Sequence, residues 1–176
     1  MQTVNHKLVD ALIIRNLKRA DLPVLEWDGE YVHFRRLYKD AYQRYIEGDS
    51  VLWVVEAPEI GLIGQAFVQL ITARRELADG FQRAYIYSVR VRIPYRGLGI
   101  GTKMMATVEN DLMRRGFAIA TLNVAKDNPL GRKFYERLGY VSVAEEPGKW
   151  SYLDHQGKRR HVHEPAWRME KPLNRY

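Results

Sequence analysis

The stretch Val89-Arg90-Val91-Arg92-Ile93-Pro94-Tyr95-Arg96-Gly97-Leu98-Gly99-Ile100-Gly101-Thr102 decides how the rest of the chain is organised. It begins as the end of a strand, which Pro94 stops because proline has no N–H for a ladder. Three glycines follow within five residues. After them Ile100, Met104, Met105, Val108 and Leu112 recur at helical spacing to about Arg115. A strand, a glycine loop and a helix start in succession bring bare backbone N–H groups and the positive end of a helix dipole to one place. That place suits a pyrophosphate. A plain tight turn that needs glycine for its backbone accounts for the three glycines equally well.

Two other phosphate motifs fail here. A Walker loop needs Gly-Lys-Ser/Thr after its glycines, whereas Gly101-Thr102-Lys103 inverts that order. A dinucleotide fingerprint ends in a third glycine three residues past the second, where this chain has Thr102, and no acidic residue ends the next apolar run, Ala118–Asn123.

Working towards the N-terminus, Arg83–Arg92 alternates as a strand, with Tyr85, Tyr87, Val89 and Val91 expected on one face and Ile86, Ser88, Arg90 and Arg92 on the other. Val51–Glu56 and Gly61–Thr72 form a hairpin around Ala57-Pro58-Glu59, and Ala73–Gly80 is a charged loop. Tyr31–Ile46 has helical spacing closed by Gly48. A shorter helix starts at Asp21, with Pro23 in its first turn, and Ala11–Arg15 is a first strand. Towards the C-terminus, Ala118–Val124 is a strand. Asn128-Pro129 starts a helix with Leu130, Phe134 and Leu138 on one face, closed by Gly139. Tyr140–Ala144 and Ala166–Glu170 are the last strands, joined by a polar loop rich in aromatic and basic residues. The order β-α-α-β-β-β-α-β-α-β-β mixes hairpins with strand–helix–strand units, so the sheet must be mixed.

With 176 residues, one domain over 1–176 is expected. There is no cysteine, which excludes disulfides, thiolate metal sites and a cysteine nucleophile, and no metal site is read from the sequence. No apolar run reaches the length of a membrane span, and Met1–Asp10 lacks the apolar centre of a signal peptide, so the cytoplasm is the expected location. The net charge of +7 is uneven: residues 1–88 hold 11 Lys+Arg against 12 Asp+Glu, and residues 89–176 hold 17 against 9. A basic half implies an anionic partner, either nucleic acid or a phosphate-bearing cofactor.

Arg96, Gly99 and Gly101 resemble the acetyl-CoA signature Arg/Gln-x-x-Gly-x-Gly/Ala of the GNAT superfamily of N-acetyltransferases. The string Asn128-Pro129-Leu130-Gly131-Arg132-Lys133-Phe134-Tyr135-Glu136-Arg137-Leu138-Gly139-Tyr140 resembles that family's second conserved segment at the expected separation. The close likeness covers Tyr85–Tyr140. It implies an α/β fold with a mixed, mostly antiparallel central sheet of about seven strands, a parallel splayed pair and about four helices. It implies transfer of an acetyl group from acetyl-CoA to a primary amine, small molecule or peptide, by direct attack in a ternary complex. The backbone of Arg96, Gly97, Leu98, Gly99, Ile100, Gly101 and Thr102 would hold the pyrophosphate. Val89 and Val91 would pair with the pantetheine arm, which Asn128 would also touch while capping its helix. The Val91 amide would polarise the thioester carbonyl, and Tyr135 would protonate the leaving thiolate.

The general base is not assigned. The strand before the loop has no carboxylate where many members of the family have one, and Glu30, His33, His161, His163 and Glu164 are only scattered candidates. For the acceptor, Trp27, Glu30 and Tyr31 in one wall suit a cationic amine, Ser88 could position a water, and the basic run Lys158–His161 in the other wall suits an anion. Acyl-CoA and an amine are thus the expected partners. A homodimer is left open. A nucleic-acid module is disfavoured for want of a binding motif, and a CoA-binding regulator without turnover is the alternative reading.

Overall fold

The computed structural model describes residues 2–173, with side chains from residue 6 onward. Its helices are α1 (Gln2–Asp10), α2 (Arg35–Glu47), α3 (Ile100–Arg115) and α4 (Pro129–Arg137). Its strands are β1 (Ile13–Asn16), β2 (Ser50–Ala57), β3 (Gly61–Gln69), β4 (Arg83–Val91), β5 (Ile119–Ala125), β6 (Val141–Glu146), β7 (Lys149–Leu153), β8 (Arg159–His163) and β9 (Ala166–Pro172). Seven of them form one sheet in the order β1-β2-β3-β4-β5-β9-β6. Only β4 and β5 run parallel.

The sheet is covered on both faces, which is why β2 reads as a continuous apolar run rather than an alternation. Val51, Trp53 and Val55 face a core completed by Ile100, Met104, Met105, Val108 and Leu112 of α3. Leu52 and Val54 face a second core under α2, with Tyr38, Ala41, Leu25 and Phe67. The whole expected stripe of α3 is buried, and each such aliphatic side chain contributes roughly 1.5–3 kcal/mol. Glu109 lies on the same stripe and survives burial because Tyr140 Oη donates to it at 2.9 Å and Lys171 Nζ at 2.7 Å.

Several local expectations are corrected. The helix at Asp21 is a 3₁₀ helix, Arg19–Glu26, and Asp21 is its third residue rather than its cap. Its carboxylate reaches back to the Lys18 N–H at 2.7 Å and pairs with Arg15. A 3₁₀ turn, Val32–Phe34, precedes α2. The N-terminal α1 was not expected. The loop after β6 is no loop but a separate hairpin, β7–β8, whose short strands lie largely exposed. Leu130, expected in a core stripe, is 78% exposed, since the sheet lies under Phe134 and Leu138 only.

The most consequential correction is in β4. Ser88 has φ +53°, and the β3–β4 register slips between Gln65↔Arg90 and Phe67↔Tyr87. An extra residue in a strand reverses which face the following side chains point to. Ala84 and Ile86 therefore share the α3 face with Val89 and Val91, while Tyr87 and Arg90 point to the α2 face. The predicted set Tyr85, Tyr87, Val89 and Val91 is split by this bulge. Buried Gln65 holds it in place, with Nε2 donating to Ser88 Oγ at 3.0 Å and to the Ser88 carbonyl at 3.3 Å.

Candidate active site

Strands β4 and β5 pair only from Arg83↔Ile119 to Ile86↔Leu122. Beyond the bulge they part, leaving a gap between Tyr87–Val91 and Asn123–Ala125. The β4–α3 loop closes one end of that gap. Gly97 (φ +76°) and Gly99 (φ +84°) adopt left-handed backbone with nothing near where a Cβ would sit, so their side of the loop is open. The N–H groups of Ile100, Gly101 and Thr102 form the first turn of α3, whose first internal bond is Lys103 N–H to Gly99 O. Together they make a concave set of donors at a helix N-terminus.

Arg96 has a structural task within this loop. Its Nε donates to the Val91 carbonyl at 2.8 Å, tying the loop back to the strand end. The side chains of Leu98 and Ile100 are anchors in the core, so only their backbone faces outward. Gly101 differs from the other two glycines: a Cβ there would stand 3.1 Å from the Phe134 ring, so its smallness serves α3–α4 packing.

On α4, Asn128 Oδ1 accepts the Gly131 N–H at 3.0 Å, a helix cap that leaves the amide Nδ2 uncommitted. Gly131 makes room for that cap rather than for Tyr135, because a Cβ there would clash with Asn128. Tyr135 packs against the core edge and meets Tyr140 edge-on at 5.9 Å. Burial, with a smaller effect from Tyr85, pushes its phenol up to about 12, so it is protonated at neutral pH.

On the opposite side of β4 lies a half-open cavity of about 770 Å³. Tyr31, Phe34, Tyr38, Tyr85, Tyr87 and Trp150 give it an aromatic lining, and Ser88 and Asn123 stand on the strands that splay. Asn123 Oδ1 is buried without a partner. Of the four residues expected to meet the acceptor, Tyr31 and Ser88 line this cavity. Trp27 is buried and does not line it, with Arg92 over its ring at 5.2 Å, and Glu30 is exposed outside. His33 and Glu164 line the cavity, whereas His161 and His163 lie on a neighbouring depression of the hairpin. Burial, then the nearby Arg90, hold His33 below its ordinary value, so it is neutral at pH 7.

The charges of the cavity were not legible in the sequence. Arg44 from α2, Arg74 from the β3–β4 loop, Arg90 from β4 and Lys149 from β7 line it, against Glu146 and Glu164. Arg74 is held by Glu146 at 2.8 Å, and the same carboxylate takes Arg168. Arg90 donates to Tyr38 Oη at 2.8 Å and lies 4.2 Å from the Tyr31 ring centroid. No spacing rule links these positions; only the β4 bulge and the fold bring them together.

The acetyltransferase (GNAT) family profile matches residues 14–140, most of the chain and all strands from β1 to β5. Over 102 residues the chain is 28% identical to N-alpha-acetyltransferase 30 of Schizosaccharomyces pombe, covering 57% of this chain and 68% of that protein. Over 106 residues it is 27% identical to N-alpha-acetyltransferase 50 of Danio rerio, covering 60% of this chain and 63% of that protein. The crystal structure of Arabidopsis thaliana NAA60 in complex with acetyl-CoA shares the fold, with a TM-score of 0.67 at 19% identity, covering 93% of this chain and 99% of that one. The profile runs through the donor loop and both splayed strands, and on that ground the chain belongs to the acetyltransferase (GNAT) family, the acetyl-CoA-dependent N-acetyltransferases.

Proposed function

We propose that acetyl-CoA lies along the β4–β5 gap, with its pyrophosphate on the loop from Arg96 to Thr102 and its thioester beside the β4 bulge. The arm runs along Val89 and Val91 towards Asn128 Nδ2. The acceptor amine enters from the opposite cavity, so both substrates are held at once. Its nitrogen attacks the thioester carbon. The Val91 N–H steadies the charge on oxygen, the C–S bond breaks, and the thiolate takes the Tyr135 proton while the amine gives up one of its own. The neutral His33 imidazole in the acceptor cavity is the proton acceptor we favour over Glu30, His161 and His163, which stand outside it, and over Glu164, which is exposed at its rim.

One observation carries this reading: the bulge at Ser88 ends the β4–β5 pairing at the very level where the donor loop and the aromatic cavity approach from opposite sides. A backbone donor at such a bulge needs no reorganisation as charge develops. The absence of cysteine supports work in a reducing compartment, and we place the activity in the cytoplasm. The test is transfer of radiolabelled acetyl from acetyl-CoA to a panel of amines and peptides, with calorimetry of acetyl-CoA beside NAD. Tight acetyl-CoA binding and label in an amide are expected. NAD bound as well as acetyl-CoA overturns the loop assignment, and binding without transfer overturns the catalytic one.

A further inference from the structure

The cavity on the α2 side carries two guanidinium groups with no carboxylate partner among the described residues. Arg44 and Arg90 are both half-buried, and neither forms an ion pair. The Nε of Arg44 is shielded from solvent and bonds to nothing. Arg44 stands beside the Tyr87 hydroxyl, whose pKa burial raises and Arg44 partly restrains. Arg90 is fixed more firmly, by one bond to Tyr38 Oη and by the faces of Tyr31 (4.2 Å) and Phe34 (5.2 Å). One of its five donors is used there, and the rest are uncommitted.

The carboxylates of the cavity do not offset them. Glu146 is saturated by Arg74 and Arg168. Glu164 is exposed at the rim, where Lys149 stands too. The mouth is bordered by the β7–β8 hairpin, whose Lys158 and Arg159 are exposed and extend the same sign of charge outward. A partly desolvated guanidinium fixed by aromatic faces, with its donors free, is built to take a planar anion in bidentate fashion. A cationic acceptor would instead meet two charges of its own sign in a site of low dielectric.

Building on the transfer reaction proposed above, we infer that the acceptor is an amine that also carries a carboxylate, and that Arg44 and Arg90 read that carboxylate. Arg90 directly precedes Val91, so an anion held by it keeps the attached amine near the thioester. The same cations disfavour the ammonium form of the bound amine, which eases its deprotonation in a site with no free interior carboxylate. The aromatic lining takes the apolar body between the two groups. An amino acid and the N-terminus of an acidic peptide share this chemistry.

The experiment measures kcat/KM for acetylation of matched amines by the intact protein. L-phenylalanine is set against 2-phenylethylamine, and the peptide Met-Glu-Ala-Ala amide against Met-Lys-Ala-Ala amide, with spermidine as a polycation. In at least one pair the carboxylate-bearing member should lead by about 10–100-fold, the worth of a charge-assisted bond; the leading pair tells amino acid from peptide. Arg44→Gln and Arg90→Gln should each remove most of that lead, kcat/KM falling further for the carboxylate-bearing member than for its partner. Arg44→Lys, which keeps charge but loses the fork, should recover part of it. Equal use of both members in both pairs, or preference for spermidine, overturns the inference and leaves acetyl transfer standing. Acetyl-CoA bound in calorimetry with no amine acetylated overturns the transfer reading itself, and the inference with it.

Discussion

The two sides of the β4–β5 gap are built from the chain in opposite ways. The proposed cofactor side comes from one contiguous piece, Val89–Tyr140: a strand end, a loop, α3, β5 and α4, in chain order. The proposed acceptor side is assembled from Tyr31 to Ala166, with contributions from α2, β4, β5 and the β6–β7 connection. A pyrophosphate cradle made of backbone N–H groups needs glycines at fixed offsets, and fixed offsets are visible in a sequence. A side-chain cavity needs only that certain residues meet, and nothing local marks them.

Tyr135 tests the cofactor side most severely. Tyr135→Phe keeps the ring against Tyr140 and removes the proton. A phenol pushed up to about 12 is a weaker acid than an ordinary one, so its contribution should fall at the low end for a positioned acid: kcat lower by about 10²-fold, with acetyl-CoA affinity unchanged. Because the acid works only while protonated, and its pKa is raised, the wild-type rate should show no loss through Tyr135 between pH 7 and pH 10. A pH–rate profile checks this, and a falling limb that vanishes in Tyr135→Phe would contradict it. Normal kcat in a chemistry-limited assay would leave the ring a packing residue.

The glycine loop yields the next two effects, and they should separate. Gly99→Val places a branched side chain at φ +84° on the open side of the loop, where the cofactor is proposed to lie. Acetyl-CoA affinity should drop by about tenfold or more, the worth of one charged hydrogen bond at the phosphates. Gly101→Val instead drives into Phe134, a core strain of about 1–3 kcal/mol, seen as a melting temperature several degrees lower. If both variants lose affinity equally with unchanged melting, the missing side chain of Gly101 makes room for the phosphates and not for Phe134.

These contrasts mark what could be known from residues alone. The stripe of α3 was legible because its period is strict and one face is wholly buried. Likewise the Asn128 cap and both conserved-looking segments stand at local spacing. Face assignment failed in β4 because one residue, Ser88, in left-handed backbone reverses everything after it, and serine carries no signal for that conformation. The hairpin β7–β8 was missed because its two short strands are largely exposed, so neither shows the buried apolar face that marks a strand in a sequence. Arg44 and Arg90 lie 46 residues apart on a helix and a strand, and only the folded sheet makes them neighbours of one cavity.

The smallest predicted effect tests where the acceptor side ends. Glu30 was the natural anchor for a cationic amine when only the sequence was considered, since it sits among Trp27, Asp28 and Tyr31. In the fold it is exposed, forms no ion pair among the described residues and does not line the cavity, although Tyr31 beside it does. An exposed, unpaired carboxylate is screened by water and salt, so Glu30→Gln should change acceptor kcat/KM less than twofold and stability by less than about 0.5 kcal/mol. Tyr31→Leu removes the face under Arg90, a contact worth about 0.5–2 kcal/mol, and should lower kcat/KM for the same acceptor severalfold while leaving acetyl-CoA binding alone. Steady-state kinetics on the pair decides between two boundaries. If Glu30→Gln has the larger effect, the acceptor reaches past Tyr31 to the acidic turn, and the cationic interior is only part of its binding surface.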